Sequence, residues 1–163
     1  MELFEAIEKR HCCRDLVGTD VPRADLEKIM DAGRRAASGM NIQPFSFIAI
    51  TERDTIQKLS AAQGFIAGAS AAIAIVADPS ESSYWLEDVA AAAENMLLAI
   101  EAMGYASTWV EGTLRSKEDE LKRCLDIPEQ LRFMVLLPIG KPAAPGAQPA
   151  KKPLSKLVHW EKW

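Results

Sequence analysis

Apolar residues recur along this chain with two distinct periods, and each change of period marks an element. In "LFEAIEKR" Leu3, Phe4 and Ile7 fall on one helical face, and one further turn of that helix would set Arg10 and Arg14, four residues apart, side by side. "VPRADLEKIMDAGRRAAS" carries Pro22 at an early helical position and Leu26, Ile29, Met30 and Gly33 as a buried stripe, which predicts a helix ending at Gly39. "FSFIAI" reads as a strand, "TERDTIQKLSAAQ" as a helix, and "ASAAIAIVAD" as a fully buried strand whose small side chains permit close packing. From Tyr84 to Met103 a long helix, apolar on most sides, takes a central place, with Gly104 where the chain can leave it in a left-handed turn. "YASTWVEG" gives a short strand and a turn, "SKEDELKRCLDI" a helix capped by Ser116, and "LRFMVLLPIG" the last strong strand. Helices alternating with strands predict a layered α/β or α+β domain.

After Gly140 the pattern changes. "KPAAPGAQPAKKP" holds four of the nine prolines and is predicted to run extended over a surface. The apolar and aromatic "LSKLVHWEKW" that follows must dock on something. Residues 1–140 are therefore expected to form the domain, and residues 141–163 an extended arm lying on that domain or on a partner subunit.

Composition narrows the function classes. A chain of 163 residues, 48% of them hydrophobic, can bury the core of one domain. A net charge of −4, from 19 Lys and Arg against 23 Asp and Glu, leaves no broad phosphate-neutralising surface, so no nucleic acid is expected as partner and any anion site is local. No uninterrupted apolar run approaches the roughly 18 residues of a membrane span, and "MELFEAIEKR" has no signal-peptide core. No membrane association and a cytoplasmic location are the expectation. Three cysteines, with Cys12 and Cys13 adjacent, fit a reducing compartment better than a disulfide framework, and "HCCR" lacks the spacer by which paired thiolates chelate zinc. No metal is expected.

The usual catalytic signatures are missing too. No Gly-x-Gly-x-x-Gly or Walker loop follows a strand, Ser38 lies outside any nucleophile elbow, and His11 and His159 sit at opposite chain ends. A basic cluster at each end remains. Arg10 and Arg14, with His11 and Cys12 between them, suit a compact receptor for a cofactor phosphate, since guanidinium forks match phosphate oxygens. Lys151 and Lys152, taken singly, read as solvated charges. In "SGMNIQP", Ser38, Asn41 and Gln43 can satisfy the backbone of a helix-ending turn, the reading residue physics slightly favours. They also have the groups to read the alternating donors and acceptors of a heterocycle such as the pyrimidine end of a flavin. In "TWVEG", Gly112 serves either a plain turn or the approach of backbone amides to a flat ring.

The order "AIEKRHCCR", "AASGMNIQPFSF", "ENMLLAIEAMGYASTWVEG", "LLPIGKP" and "KKPLSKLVHWEKW" resembles the nitroreductase family of FMN flavoproteins, and among them a short member. The resemblance implies an α+β fold, with a central, mostly antiparallel sheet flanked by helices in three layers. It also implies an intertwined homodimer with FMN at the interface. It gives Arg10 and the position of Cys12 to the FMN phosphate with His11 beside them, and Arg14 to the pyrimidine edge. Ser38, Asn41 and Gln43 fall in the loop presented by the other subunit. Glu111 and Gly112 fall in the turn facing the reactive ring nitrogen, and Lys151 and Lys152 in an arm returning to the phosphate. No catalytic side chain is implied: Arg14 and the Gly112 amide tune a flavin that takes hydride from NADH or NADPH and passes it, ping-pong, to a nitroaromatic, a quinone or another conjugated electrophile. The alternatives are flavin fragmentation, reductive dehalogenation, or a non-catalytic FMN-binding protein. Three departures stand out: Cys12 in place of a Ser hydroxyl, Ala37 where many members have Pro, and a short connection from Asp78 to Tyr84 where longer members insert helices.

Overall fold

The computed structural model describes residues 1–163. Its helices are α1 (Leu3–Lys9), α2 (Arg23–Arg34), α3 (Arg53–Leu59), α4 (Trp85–Ala102), α5 (Gly112–Arg115) and α6 (Glu118–Cys124); its strands are β1 (Leu16–Val17), β2 (Phe45–Ile50), β3 (Ala71–Ala77), β4 (Ala106–Ser107) and β5 (Arg132–Pro142). The sheet runs β1-β5-β3-β2 with β4 also on β5, and all these ladders are antiparallel. This is the α+β architecture that the resemblance implied.

The sheet is organised by β3. All seven of its residues are buried, because β2 and β5 take its two edges and helices take its two faces. Side chains alternate along a strand, and two separate cores result. Ala72, Ala74 and Val76 join Ile56, Leu59, Ile66, Leu114 and Leu121 on one face, whereas Ile73 and Ile75 join Leu26, Ile29, Met96 and Ile100 on the other. Burial of each such isoleucine contributes about 1.5–3 kcal/mol. α4 spans the second face beside α2, where the missing side chain of Gly33 makes room for Met96. Gly104, at φ 76°, ends α4 in the predicted left-handed turn.

Several boundaries differ from expectation. α1 stops at Lys9 and Arg10 turns extended (φ −54°, ψ 121°), so Arg10 and Arg14 do not share a helical turn. The cause lies elsewhere in the chain. Cys13 buries its side chain in the core and donates its N–H to the Ser107 carbonyl at 2.9 Å, and this tertiary pairing outcompetes another helical turn. Extended alternation then places Cys12 and Arg14 on the exposed side. α2 ends at Arg34, before Gly39, and α3 ends at Leu59, before a 3-10 turn at Gly64–Gly68. Ser116 does not cap α6: its hydroxyl donates to the Thr113 carbonyl at 2.8 Å, closing the short α5, and the N-cap position falls to Lys117.

Past β5 the chain forms no strand, only a 3-10 turn at Leu154–Lys156. Gln148 Nε2 donates to the Ile7 and Arg10 carbonyls, both at 2.8 Å. Gly146 lies so close to the His11 ring that a side chain there would collide with it. The arm thus touches its own body at 146–148, while Trp160 and Trp163 beyond are 81% and 100% exposed. No helix is long and apolar enough to cross a membrane.

Candidate functional site

The extended segment from Arg10 to Arg14 is held between α4, β4 and the arm. Arg10 Nε lies 3.2 Å from Glu94 Oε1 on α4, with only 18% of its side chain exposed. His11 Nδ1 sits 2.9 Å from the Lys9 carbonyl, which can only accept, so this nitrogen carries the proton. Cys12 pairs in parallel with Ser107 in an isolated bridge. Burial pushes the Cys12 thiol up, but the Thr108 hydroxyl, the Trp109 backbone N–H and the Arg10 guanidinium act more strongly together and hold it below the ordinary thiol range.

That pairing leads into the turn after β4. Ser107 and Thr108 are 4% and 1% exposed, and neither hydroxyl has a hydrogen-bond partner. Although Thr108 lies near the Cys12 sulfur and favours its charged form, it makes no bond of ordinary length to it. Each stranded hydroxyl costs about 1–3 kcal/mol, a cost that a ligand's acceptor would remove. The sequence did not single these two out; the only signal was a pair of hydroxyl residues closing a short buried strand. Downstream, Glu111 is engaged by its neighbours, accepting from Trp109 Nε1 at 3.1 Å and pairing with Arg115 at 2.6 Å. Its carbonyl also accepts the Arg115 N–H at 2.9 Å, which leaves its own N–H for a ligand. At Gly112, which opens α5, the place of a Cβ meets no protein atom within 4 Å, so a flat group can approach the backbone there.

The loop at Ser38–Gln43 lies apart from this cluster. Met40, Asn41 and Gln43 have φ of 51°, 58° and 57°, the left-handed region that L residues avoid at about 1–2 kcal/mol each. Four hydrogen bonds involving side chains fix this geometry. The buried Asp88 of α4 accepts the Gly39 N–H at 2.8 Å, Ser38 Oγ accepts the Gln43 N–H at 3.2 Å, and Gln43 Nε2 donates to Asn41 O and Oδ1 at 3.1 and 3.2 Å. A Cβ at Gly39 would sit 2.5 Å from Tyr84 Cδ2, so only glycine fits. Ser38 thus satisfies backbone, as a turn residue does, while the Asn41 amide N–H groups and Gln43 Oε1 point to no partner within the chain.

Asp88, which holds this loop, and Glu94, which meets Arg10, are about 9 Å apart along the α4 axis at 1.5 Å per residue. The arm reaches Arg10 through Gln148 and His11 through Gly146, and Cys12 pairs with Ser107, whereas Arg14 and the Glu111–Gly112 turn share no hydrogen bond or ion pair with these residues, and neither does the loop. Lys151 and Lys152 are exposed just past the arm's contact with the body and form no ion pair. A cavity of about 500 Å³ lies elsewhere, lined by Asp119, Lys122, Arg123, Ile127 and Glu129, and contains none of these residues.

The model of the Nitroreductase family matches residues 7–63 and 60–141. An Archaeoglobus fulgidus protein named "Putative NADH dehydrogenase/NAD(P)H nitroreductase" is 34% identical over 149 residues, covering 86% of each chain. The crystal structure of a protein of the same name from Bacteroides thetaiotaomicron superposes with a TM-score of 0.89 at 27% identity, covering 99% of this chain and 98% of that one. An FMN-dependent nitroreductase from Clostridium difficile, 21% identical, shares the fold with a TM-score of 0.87 over 98% of this chain and 99% of its own.

Proposed function

Because the chain belongs to the nitroreductase family, we propose that it is an FMN-dependent oxidoreductase drawing electrons from NADH or NADPH, and that it works as a homodimer. One observation carries this reading: the two ends of the chain meet, with Gln148 of the arm bonded at 2.8 Å to the Ile7 and Arg10 carbonyls beside the basic segment. The donor set fits the cofactor. Arg10, the Thr108 hydroxyl and the Trp109 N–H all favour negative charge at the Cys12 position, which suits a phosphate, and the open face at Gly112 suits a ring. The names of the Archaeoglobus and Clostridium relatives carry NAD(P)H and FMN respectively, in agreement.

In this reading Arg10, His11 and the Cys12 position hold the phosphate, and Lys151 and Lys152 close over it from the arm. Arg14 steadies negative charge at the pyrimidine edge, and the Gly112 amide, with the Glu111 backbone beside it, orients the ring. Ser38, Asn41 and Gln43 serve the site of a second copy, which explains why they stand apart from the cluster in their own chain. Of the arm expected at 141–163, the part beyond Gln148 then docks on that partner, while the domain expected over residues 1–140 also takes in Lys141 and Pro142, which complete β5 and pair with β1. Bound FMN supplies the hydride acceptor and donor for ping-pong turnover of nitroaromatics, quinones or similar conjugated electrophiles. A cytoplasmic enzyme without nucleic-acid or membrane partners completes the proposal.

The test is anaerobic titration of FMN-loaded protein with NADH and with NADPH, followed by a panel of acceptors. Bleaching by at least one nicotinamide, then recovery of colour with a nitroaromatic or quinone, is expected. Yellow protein that neither nicotinamide bleaches is a non-catalytic FMN binder. Reduction without turnover of those acceptors, accompanied by loss of the flavin itself or of halide from a halogenated ring, points to fragmentation or dehalogenation. A colourless protein that takes up no FMN overturns the whole reading.

A further inference from the structure

Arg10 is held by three different parts of the chain. Its N–H donates to the Ala6 carbonyl at 2.9 Å and its own carbonyl accepts from Gln148 Nε2 at 2.8 Å, so its main chain is pinned from both sides. Its side chain turns inward: only 18% of it is exposed, and Nε lies 3.2 Å from Oε1 of Glu94, midway along α4. A guanidinium taken this far out of water needs an anionic neighbour. Within the chain, Glu94 is that neighbour.

Most ion pairs of this chain join residues three or four apart, as Arg23 pairs with Glu27 and Arg115 with Glu111. Only Arg10 and Arg132 reach a carboxylate on a distant element. These two pairs differ in kind. Arg132 gives both Nε and Nη2 to Glu118, which also accepts the Phe133 N–H, so both partners are spent within the fold. Arg10 approaches Glu94 through Nε, and its two terminal amino groups donate to no atom of the chain. That free fork has the geometry of phosphate oxygens. Because Glu94 is half exposed, the pair adds little to folding, and its consequence is the direction in which the fork points. Arg14, four residues on, is exposed and has no such partner.

We propose that Glu94 is a positioning residue of the flavin site: by holding Nε it aims the terminal fork of Arg10 at the FMN phosphate, and it thereby favours FMN over riboflavin, which lacks that phosphate. The proposal rests on the FMN reading above. Glu94 acts through Arg10 and not on the ligand. Two effects of the carboxylate oppose each other. Its charge repels a nearby phosphate, while its oxygen fixes the guanidinium that binds one. The second wins, because an arginine left unheld must surrender its side-chain rotamers at the moment of binding, whereas a held one has already done so. Without Glu94 the buried guanidinium turns to water or to neighbouring carbonyls, and its fork leaves the site.

The experiment measures Kd for FMN and for riboflavin by flavin fluorescence in the full chain, in Glu94→Ala, Glu94→Gln and Arg10→Ala, and in the variant carrying both alanines, with thermal unfolding of each flavin-free protein to check the fold. Glu94→Ala is expected to weaken FMN about fivefold or more and riboflavin less than about twofold. Glu94→Gln keeps an oxygen for Nε and should stay within about threefold of the parent. With Arg10→Ala already in place nothing remains to be aimed, so adding Glu94→Ala should change FMN affinity less than about twofold. If Glu94→Ala does not fold, Glu94→Asp, too short to reach Nε, takes its place with the same expectations. FMN affinity unchanged or raised by Glu94→Ala makes the carboxylate a mere repulsive neighbour and overturns the proposal. Equal losses for FMN and riboflavin, or an undiminished loss when Arg10 is already alanine, assign Glu94 a structural role and overturn it too. A parent that takes up no FMN refutes the function proposed above and this inference with it, whereas a parent that binds FMN and fails any of the other tests refutes this inference alone.

Discussion

Asp88→Ala probes how the Ser38–Gln43 loop is held. The carboxylate is 4% exposed; it accepts the Gly39 N–H at 2.8 Å and the Ser82 hydroxyl at 3.4 Å. Alanine strands both donors and leaves a small void beneath three residues already in the left-handed region. One charge-assisted bond, one weak bond and incomplete collapse give a loss of about 2–4 kcal/mol. For a chain of this size each kcal/mol lowers Tm by about 2–4 °C, so a fall of about 5–15 °C is expected. Asp88→Asn keeps an oxygen for Gly39 and should lose only about 1 kcal/mol. The assay is thermal unfolding of FMN-free protein at one fixed concentration, because ligand and self-association both shift Tm, together with hydrogen exchange at the Gly39 amide. An alanine variant melting within about 1 °C of the parent, or an asparagine variant as damaged as the alanine one, would refute the argument.

Arg10→Ala should weaken FMN binding by about 1.5–3 kcal/mol, the scale of one charge-assisted hydrogen bond, measured by flavin fluorescence; unchanged affinity removes Arg10 from the site. Truncation after Ala143 spares the β1 pairing at Lys141 and Pro142 but removes the Gln148 anchor together with Trp160 and Trp163. It is expected to loosen dimer and cofactor together, as read by sedimentation and flavin content. Glu118 links stability to pH. Burial pushes its carboxyl up, but the Arg132 guanidinium and the Phe133 N–H, at 2.8 and 2.9 Å, hold it below the ordinary carboxylate value. A depressed folded value means stability present above the unfolded pKa of about 4.3 and lost as pH falls through the folded one. Urea unfolding of the FMN-free protein from pH 7 to pH 3 should therefore show a shallower acid limb for Glu118→Gln than for the parent.

Elements dominated by one signal were legible from sequence. Ala71–Ala77 is apolar at every position, and the Tyr84–Met103 segment ends on a glycine, so β3 and α4 formed where the pattern put them. Strand direction was not legible from the pattern, since alternation is the same in parallel and antiparallel ladders; it came from the resemblance. Local spacing also misplaced Arg10 and Arg14, because what ends α1 is the partner Cys13 finds in Ser107, far along the chain. Ser116 looked like a cap, but a hydroxyl serves whichever backbone group lies nearest, here the Thr113 carbonyl. Ser107 and Thr108 escaped notice because lacking a partner is a property of the folded surroundings and leaves no mark on a sequence.

The arm's attachment to its own body has a geometric consequence. With Gln148 fastened to the Ile7 and Arg10 carbonyls, residues 149–163 form a leash that reaches at most about 50 Å when fully stretched. Whatever surface captures Trp160 and Trp163 must lie inside that radius. Should it belong to another copy, each molecule meets its mate's tail at a local abundance set by leash length rather than by expression level, and the two come apart only when both tails let go.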